Sequence, residues 1–242
     1  MSWIKKILVL IIFFLITVTS HAQVLISIIF GDKLNTDKMT FGLTLGSAWN
    51  SLTDYATVDA QANFNLGLFL TFKLKQRLFL QFDALAKYKL GAKGLPVYTL
   101  GDATLDTIYQ HGSLKRSISY LGLNTSLQYR IWKYLNVEAG PNVTLRTKAK
   151  DIFEAGHELG EQFFEKDMKE ATTRFDFGVT TGISWQFSKG KGLKLGVRYY
   201  WGLVDLYPAD AGTNAGRSLQ VNLYIQIGGK KQAKNSSDSN SK

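Results

Sequence analysis

The chain has 242 residues, no cysteine and a formal net charge of +10. The length fits one β-barrel domain, and the missing cysteine excludes disulfides, thiolate metal sites, a cysteine nucleophile and lipidation at an N-terminal cysteine. The basic balance is compatible with nucleic-acid binding, but the secretory N-terminus described next favours an anionic lipid or glycan environment. We therefore predict no nucleic-acid partner.

The N-terminus has the pattern of a cleaved signal peptide. Two lysines precede an apolar stretch from Ile7 to Ile16, and small residues follow up to Ala22. The apolar stretch is short for a membrane-spanning helix, so an uncleaved anchor is the weaker alternative. We predict a signal peptide at 1–22 and a periplasmic segment at 23–39, whose conformation the pattern leaves open.

Eight segments alternate apolar and polar side chains with the period of two that is typical of strands. They are Thr40–Ala48, Asn63–Leu74, Leu78–Leu90, Ser117–Ile131, Leu135–Arg146, Phe175–Phe187, Leu193–Leu203 and Arg217–Ile227. Most exceed the length of about 9–11 residues that a tilted strand needs to cross a bilayer. Glycines on the polar faces suit a narrow, crowded lumen. Pro141 cannot donate to a ladder, so we expect a bulge there.

The connections between these segments are alternately long and short. Outer-membrane barrels have short periplasmic turns and longer outer loops, whereas a soluble barrel has no reason to sort loop length by end. Trp132 and Trp185 lie at the short-turn end, and Trp49 and Trp201 lie at the long-loop end, as two interfacial girdles would. We predict an all-β, eight-stranded antiparallel up-and-down transmembrane β-barrel at 40–228, followed by a disordered polar tail at 229–242.

The composition of two long connections predicts their local structure. Gly91–Arg116 contains glycine, proline and aspartate, which predicts an irregular, solvent-exposed loop. The connection Thr147–Thr173 is rich in glutamate, phenylalanine and lysine in its middle. We expect a helix above the barrel over Ile152–Ala171.

The polar faces predict a lumen that side chains just fill. The expected inward charged and tyrosine residues are Lys73, Asp83, Lys87, Tyr120, Arg130, Glu138, Arg146, Asp176, Lys194, Arg198 and Tyr200. Buried charges need partners, and register through the turn after the fourth segment sets Gln128 opposite Glu138, with Arg130 nearby. We interpret these residues as a structural network, with a narrow polar conduit as the alternative.

Enzyme chemistry has little support in the sequence. After the predicted signal peptide the chain has two histidines, His111 and His157, both in predicted outer loops. His111 is close to Ser113 in sequence, but the pattern predicts no nucleophile–base pair. The glutamates near His157 are better explained as solvated loop residues than as half a metal site. We predict no enzyme, and no catalytic, cofactor-binding or metal-binding residue.

Four segments resemble the PorT-like outer-membrane β-barrel proteins of the Bacteroidetes. They are Ser119–Arg130, Glu138–Val143, Asp176–Gly182 and Leu195–Leu203, and the predicted signal peptide ends in a similar Ala-Gln pair. The resemblance covers about Phe41 to Ile227 and implies a barrel in the outer membrane of a Gram-negative bacterium. One member of that family is implicated in type IX protein secretion, so the resemblance adds periplasmic or secretion-machinery proteins to the candidate partners.

From these patterns we expect an integral outer-membrane protein with a structural, scaffold or interaction role, surrounded by outer-membrane lipid and lipopolysaccharide. The alternatives are a narrow transport channel and a PorT-like component of a secretion system. A soluble lipocalin-like binder, whose apolar faces would line a ligand cavity, and an outer-membrane enzyme are weaker alternatives.

Overall fold

The computed structural model describes residues 35–53, 60–157, 160–187, 192–208 and 212–227. The predicted signal peptide, most of the predicted periplasmic segment and the predicted polar tail lie outside these ranges. The elements are β1 (Met39–Leu52), β2 (Gln61–Lys73), β3 (Leu78–Leu95), α1 (Ala103–Tyr109), β4 (Ser113–Arg130), β5 (Leu135–His157), β6 (Gly160–Asp167), β7 (Phe175–Gln186), β8 (Leu193–Asp205) and β9 (Ala215–Gln226). Within the described ranges, no helix is long and apolar enough to cross a membrane.

Eight of these strands form a closed antiparallel ring. Hydrogen-bonded neighbours follow the order β1-β2-β3-β4-β5-β7-β8-β9, and β9 pairs back to β1. The remaining strand, β6, lies outside the ring and pairs with the far end of β5. The predicted eight-stranded up-and-down barrel is therefore confirmed, with an additional strand that the sequence pattern did not predict.

The two faces of the ring have opposite polarity. On β4, Leu121, Leu123 and Leu127 point outward and are 48%, 48% and 49% exposed, while Asn124 and Ser126 between them are buried. The tryptophans of both predicted girdles are exposed on the outside as well; they are Trp49, Trp132, Trp185 and Trp201. An apolar outside around a polar inside is the arrangement of a membrane barrel and the reverse of a soluble one.

A β-bulge on β3 interrupts the alternation. The residues between Leu85 and Tyr88 are Ala86 and Lys87, and this pair lies opposite a single residue of β4. Both turn outward, and every later residue of β3 changes side. The prediction that Lys87 faces the lumen is therefore wrong, since Lys87 is exposed and the next residue, Tyr88, is buried.

A second bulge lies on β5 at the same height. Tyr120 of β4 pairs with Tyr88 on one side and with Arg146 on the other, whereas Ser119 pairs with Lys148. Thr147 is the extra residue. The two bulges therefore flank Tyr120 from its two neighbouring strands, and β4 passes between them with its own alternation unbroken.

Pro141 lies in β5 without the bulge that we expected. The register between β4 and β5 is the same on both sides of Pro141. The ladder lacks only the pairs of Gly140 and Pro141 with β4. On its other edge Pro141 stays paired, opposite Val179 of β7. A proline has no N–H to donate, and a gap in one ladder accommodates it without an inserted residue.

Beyond the bulges, the strands β3, β4 and β5 leave the ring and continue with α1 and β6. We name this part the sheet extension and define it as residues 88–120 and 146–167. The helix predicted over Ile152–Ala171 is wrong, because this stretch forms the end of β5 and the strand β6. Phe153 and Ala155 are buried while Ile152 and Glu154 are half-buried, which is the alternation of a strand. The helix in fact lies within Gly91–Arg116, the connection predicted to be irregular.

The sheet extension has an apolar core of its own. Its buried members include Tyr88, Leu90, Ala92, Leu95, Tyr109, Leu114, Ile118, Ala149, Phe153 and Ala155. Phe153 is fully buried at the centre, with ring centroids of Tyr98, Tyr109 and Phe164 at 5.2, 6.1 and 6.1 Å. α1 packs at one end of this core. Asp102 caps the N-terminus of α1, and its side chain accepts hydrogen bonds from the backbone N–H groups of Thr104 and Leu105.

Candidate functional site: a filled lumen beneath a sheet extension

The centre of the lumen is crossed by a buried charge network around Arg198. Its guanidinium forms ion pairs with Asp83 and with Glu138. The three residues come from β8, β3 and β5, which are not neighbours in the ring, so the pairs cross the lumen and join distant parts of its wall. Burial of these charges is tolerated because each has an oppositely charged partner.

Amide and ammonium groups extend this network toward the short turns. The amide nitrogen of Gln128 donates to Glu138 at 2.5 Å and to the amide oxygen of Gln81 at 2.9 Å. Lys194 donates to the same Gln81 oxygen, and its ammonium lies 4.5 Å from the ring centroid of Tyr224. The predicted apposition of Gln128 and Glu138 is confirmed by their direct pairing across β4 and β5.

A layer of tyrosines closes the lumen toward the long loops. Tyr88, Tyr120 and Tyr200 are each at most 1% exposed. The hydroxyl of Tyr200 donates to the carboxylate of Asp176 at 2.6 Å, and the rings of Tyr88 and Tyr120 are 6.3 Å apart. Tyr200 fits because Gly178 lies beneath its ring, where a Cβ would overlap it. The lumen is thus filled at two heights by side chains from different strands.

Most of the predicted inward residues are confirmed in the lumen. Asp83, Tyr120, Glu138, Asp176, Lys194, Arg198 and Tyr200 are all buried. Arg130 and Arg146 are half-buried at the two ends, where Arg130 donates to Asn136 at 3.3 Å and Arg146 donates to the backbone oxygen of Thr172 at 2.8 Å. Lys73 is exposed at the short-turn mouth, and Lys87 lies outside the barrel.

The short-turn mouth contains a cavity of about 270 Å³. Its lining includes four cations, Lys38, Lys73, Arg130 and Lys194, and one carboxylate, Asp37. Positive charge is therefore in excess, so the vestibule favours anions. Its inner wall is formed by Lys194 and Gln128, where the buried network begins.

A second cavity, of about 290 Å³, lies in the sheet extension. Arg116 in its wall donates two hydrogen bonds to Asp151, both at 2.9 Å, and Tyr98 donates to the same carboxylate at 3.1 Å. The Arg116 guanidinium also stacks on Tyr207, with its carbon 3.8 Å from the ring centroid. These contacts fix the strands of the extension against each other and against the β8–β9 connection.

The two histidines occupy the long-loop end. His111 is exposed in the turn after α1, and His157 is the last residue of β5. Among the residues that the structure describes, no group of three His, Cys, Asp or Glu side chains is arranged to hold a metal ion. The absence of catalytic and metal-binding residues stays a prediction.

Residues 30–207 match the family described as "Outer membrane protein beta-barrel domain". The chain belongs to this family. The match covers most of the barrel, and with the closed ring and its apolar outside it locates the protein in the outer membrane of a Gram-negative bacterium. No curated protein matches the chain significantly.

Several solved outer-membrane barrels are similar to this chain. Ail, the attachment invasion locus protein of Yersinia pestis, has 8% identity and a TM-score of 0.40, over 78% of this chain and 97% of that chain. Neisserial surface protein A has 10% identity and a TM-score of 0.40, over 78% and 96%. Outer membrane protein W of E. coli has 14% identity and a TM-score of 0.37, over 79% and 100%. At these values the similarities carry no conclusion about function.

The sheet extension is the feature that the sequence patterns missed. A signal for it exists, because Leu114 and Ile118 lie on one face of β4, with Arg116 between them, and Lys115 and Ser117 lie on the other. The same alternation continues along the end of β5. In both strands the apolar residues of the extension lie on the inner side, which is polar nearer the short turns. A search for one continuous lipid-facing row of apolar residues therefore ends each strand too early.

Proposed function

We propose that the protein is a non-conducting outer-membrane barrel that carries the sheet extension on the outer side of the membrane as an interaction platform. The observation that carries this proposal is the apolar core of the extension, centred on the fully buried Phe153. A core of this kind fixes the shape of a surface, whereas plain loops would leave it mobile. Outer-membrane barrels keep short turns in the periplasm, so the extension at the long-loop end points away from the cell.

The filled lumen supports the non-conducting part of the proposal. Arg198 joins opposite walls through Asp83 and Glu138, and the tyrosine layer lies above it. An ion would have to displace a buried ion pair and then pass rings that are packed against each other. The first step is costly, because a charge that is separated from its partner inside the lumen stays buried and unpaired.

Planar-bilayer recording tests this part directly. We expect the purified protein to show no unitary currents, and the double variant Arg198→Ser with Tyr200→Ala to show them. Lys133→Ser, which removes one exposed charge from a short turn, is the matched control and should stay silent. Steady unitary conductance of the unaltered protein would overturn the proposal.

Crosslinking tests the platform part. A photoreactive amino acid at Phe163 of β6, which is 57% exposed, should yield discrete protein adducts in intact cells. The same probe at Lys133 is the control for the opposite end. If Phe163 yields no adduct beyond those at Lys133, the extension is not an interaction surface.

A narrow channel is the second candidate, and the vestibule favours it. The cavity of about 270 Å³ leads from the short turns to Lys194, so one end of the lumen is open to a small solute. The recording experiment decides between the two candidates. Small, anion-selective currents that Lys194→Gln reduces would support the channel.

A PorT-like secretion component remains a proposal supported by the four segments that resemble that family. Its test is the level of secreted proteins in a deletion strain, with co-purification of periplasmic proteins. We also propose that the protein is not an enzyme. The purified protein should hydrolyse lipid and peptide no faster than its variant with alanine at His111 and His157, and faster hydrolysis by the unaltered protein would contradict this.

A further inference from the structure

A row of polar and basic side chains faces outward on one side of the barrel. Lys89, Ser119 and Lys148 pair directly across β3, β4 and β5. An adjacent residue on each strand is fully buried, so these three side chains point to the outside. Lys89 and Lys148 are two strands apart, which places their backbones about 10 Å from each other.

The two bulges add cations to this row. In regular strands of the same sequence, without the bulges, Lys87 and Lys148 would face the interior, because residues of the same parity lower on β3 and β5 do so. The bulges thus remove both lysines from the inside and place them on the outside. The Lys87 ammonium lies 5.4 Å from the ring centroid of Phe64, an outward residue of β2.

The row lies directly above the lipid-facing band. Leu121, Leu145 and Phe175 pair with each other across β4, β5 and β7 and form the last apolar row. Arg174 is exposed beside this row, and its carbonyl accepts a hydrogen bond from the N–H of Arg146 at 2.9 Å. Lysines and an arginine at this height lie where hydrocarbon gives way to headgroups.

The distribution of charge around the barrel is uneven. On the other side, the outward residues at the same end are mostly apolar; they include Trp49, Trp201 and Leu203. Arg217 on that side donates two hydrogen bonds to the carbonyls of Gly202 and Gly216. The basic row is therefore confined to the side where the strands continue into the extension.

The lysines of the row have no ion-pair partner among the residues that the structure describes. Among the described residues, the ion pairs involve Arg116, Lys150 and Arg198, and none involves Lys87, Lys89 or Lys148. One row further out, Lys150 does have a partner, Glu165. Neighbouring like charges repel each other, so the row favours a bound anion.

We propose that Lys87, Lys89, Lys148 and Arg174, together with Ser119, form a binding site for the phosphate groups of lipopolysaccharide. The inference rests on the proposed orientation, in which the long-loop end lies in the outer leaflet. Ammonium and guanidinium groups form charge-assisted hydrogen bonds with phosphate oxygens, and the serine hydroxyl donates another. Because the row is at the base of the extension, bound lipid would hold that face of the extension against the membrane.

The test is equilibrium binding of purified lipopolysaccharide to the full-length protein in detergent. The triple variant K87Q/K89Q/K148Q should bind at least about tenfold more weakly, since one lysine near an anionic surface contributes about a fivefold factor. The matched control K75Q/R77Q/K133Q loses three charges at the opposite rim and should bind as the unaltered protein does. Dephosphorylated lipopolysaccharide should bind weakly to the unaltered protein and to both triple variants. Free inorganic phosphate at millimolar concentration should not compete with lipopolysaccharide for binding.

Equal binding by the two triple variants would overturn the proposal, and so would equal binding of phosphorylated and dephosphorylated lipid. Competition by free phosphate would show a site for a small anion in place of a lipid. If the first triple variant does not give a folded, heat-modifiable barrel, Ser119→Glu provides the second variant. It places one negative charge in the row and should weaken binding by a similar factor.

Failure of the proposed orientation is detected separately. The chain has no cysteine, so Ser113→Cys at the start of β4 can be labelled uniquely with a membrane-impermeant maleimide. Labelling in intact cells places the extension outside. Absence of labelling would contradict the proposed function, whereas labelling without lipopolysaccharide binding would contradict the phosphate site alone.

Discussion

Tyr88 and Tyr120 pair directly across β3 and β4 with their ring centroids 6.3 Å apart, at the height where the barrel reverses its polarity. On the short-turn side of this pair, leucines face outward and amides face inward. On the other side, Ile118 and Leu114 are buried while Ser117 and Ser119 face outward. The pair therefore marks the boundary between a lipid-embedded ring and a water-exposed sheet.

Deletion of both Ala86 and Lys87 should destroy the sheet extension and leave the ring in place. Tyr88 would then follow the inward Leu85 directly, so Tyr88 and Leu90 would turn outward. Limited proteolysis should then cleave the extension within minutes, while boiled and unboiled samples still differ in gel mobility. Deletion of Lys87 alone is the control and should stay resistant, because Ala86 then faces outward and Tyr88 still faces inward. Equal resistance of both deletions would contradict the dependence of the extension on the face that Tyr88 occupies.

Removal of Arg198 should lower the free energy of unfolding by about 3 kcal/mol, since it leaves Asp83 and Glu138 buried without a cation. Urea unfolding in lipid vesicles, followed by tryptophan fluorescence, measures the change for Arg198→Ala. The triple variant R198M/D83N/E138Q removes all three charges and should recover most of the loss. If the triple variant is no more stable than Arg198→Ala alone, unpaired charge is not the cause.

Alanine at Gly178 should destabilise the barrel by about 1–3 kcal/mol, because the added methyl overlaps the ring of Tyr200 and the neighbouring backbone. Gly156 of β5 offers a matched control, since a methyl there meets no atom within 4 Å. The same urea experiment should show a large shift for Gly178→Ala and almost none for Gly156→Ala. Similar shifts for both would mean that strand propensity, and not crowding in the lumen, explains the glycines.

Alanine at Asp151 should unfold the sheet extension and spare the ring. The carboxylate is fully buried and accepts two hydrogen bonds from Arg116 and one from Tyr98, so its loss removes the shared acceptor of three hydrogen bonds inside the extension. We expect a local cost of about 3 kcal/mol. Hydrogen exchange should accelerate in residues 113–120 and 149–157 and stay slow in β7–β9. Glu170→Ala removes an exposed carboxylate nearby and should change neither region.

The sequence by itself determined the ring and part of its interior. The segment Leu121–Arg130 is recognisable because lipid outside and a polar lumen inside impose a period of two on a single strand. The pair Gln128–Glu138 was predictable as well, because a short turn fixes the register of the strands that it joins. Arg198 and Asp83 were both placed inside, but their ion pair was not predicted, since β8 and β3 meet only across the closed lumen.

Tertiary structure alone decided the bulges and the extension. Whether Lys87 faces outward or into the lumen depends on how β3 pairs with β4, and a β-bulge reverses the result without any change in the sequence. The apolar face of a strand points outward in lipid and inward in water. Leu121 of β4 therefore faces outward, whereas Phe153 on the neighbouring strand β5 faces inward. The sequence pattern shows which residues share a face, and the solvent around the folded strand decides which face is buried.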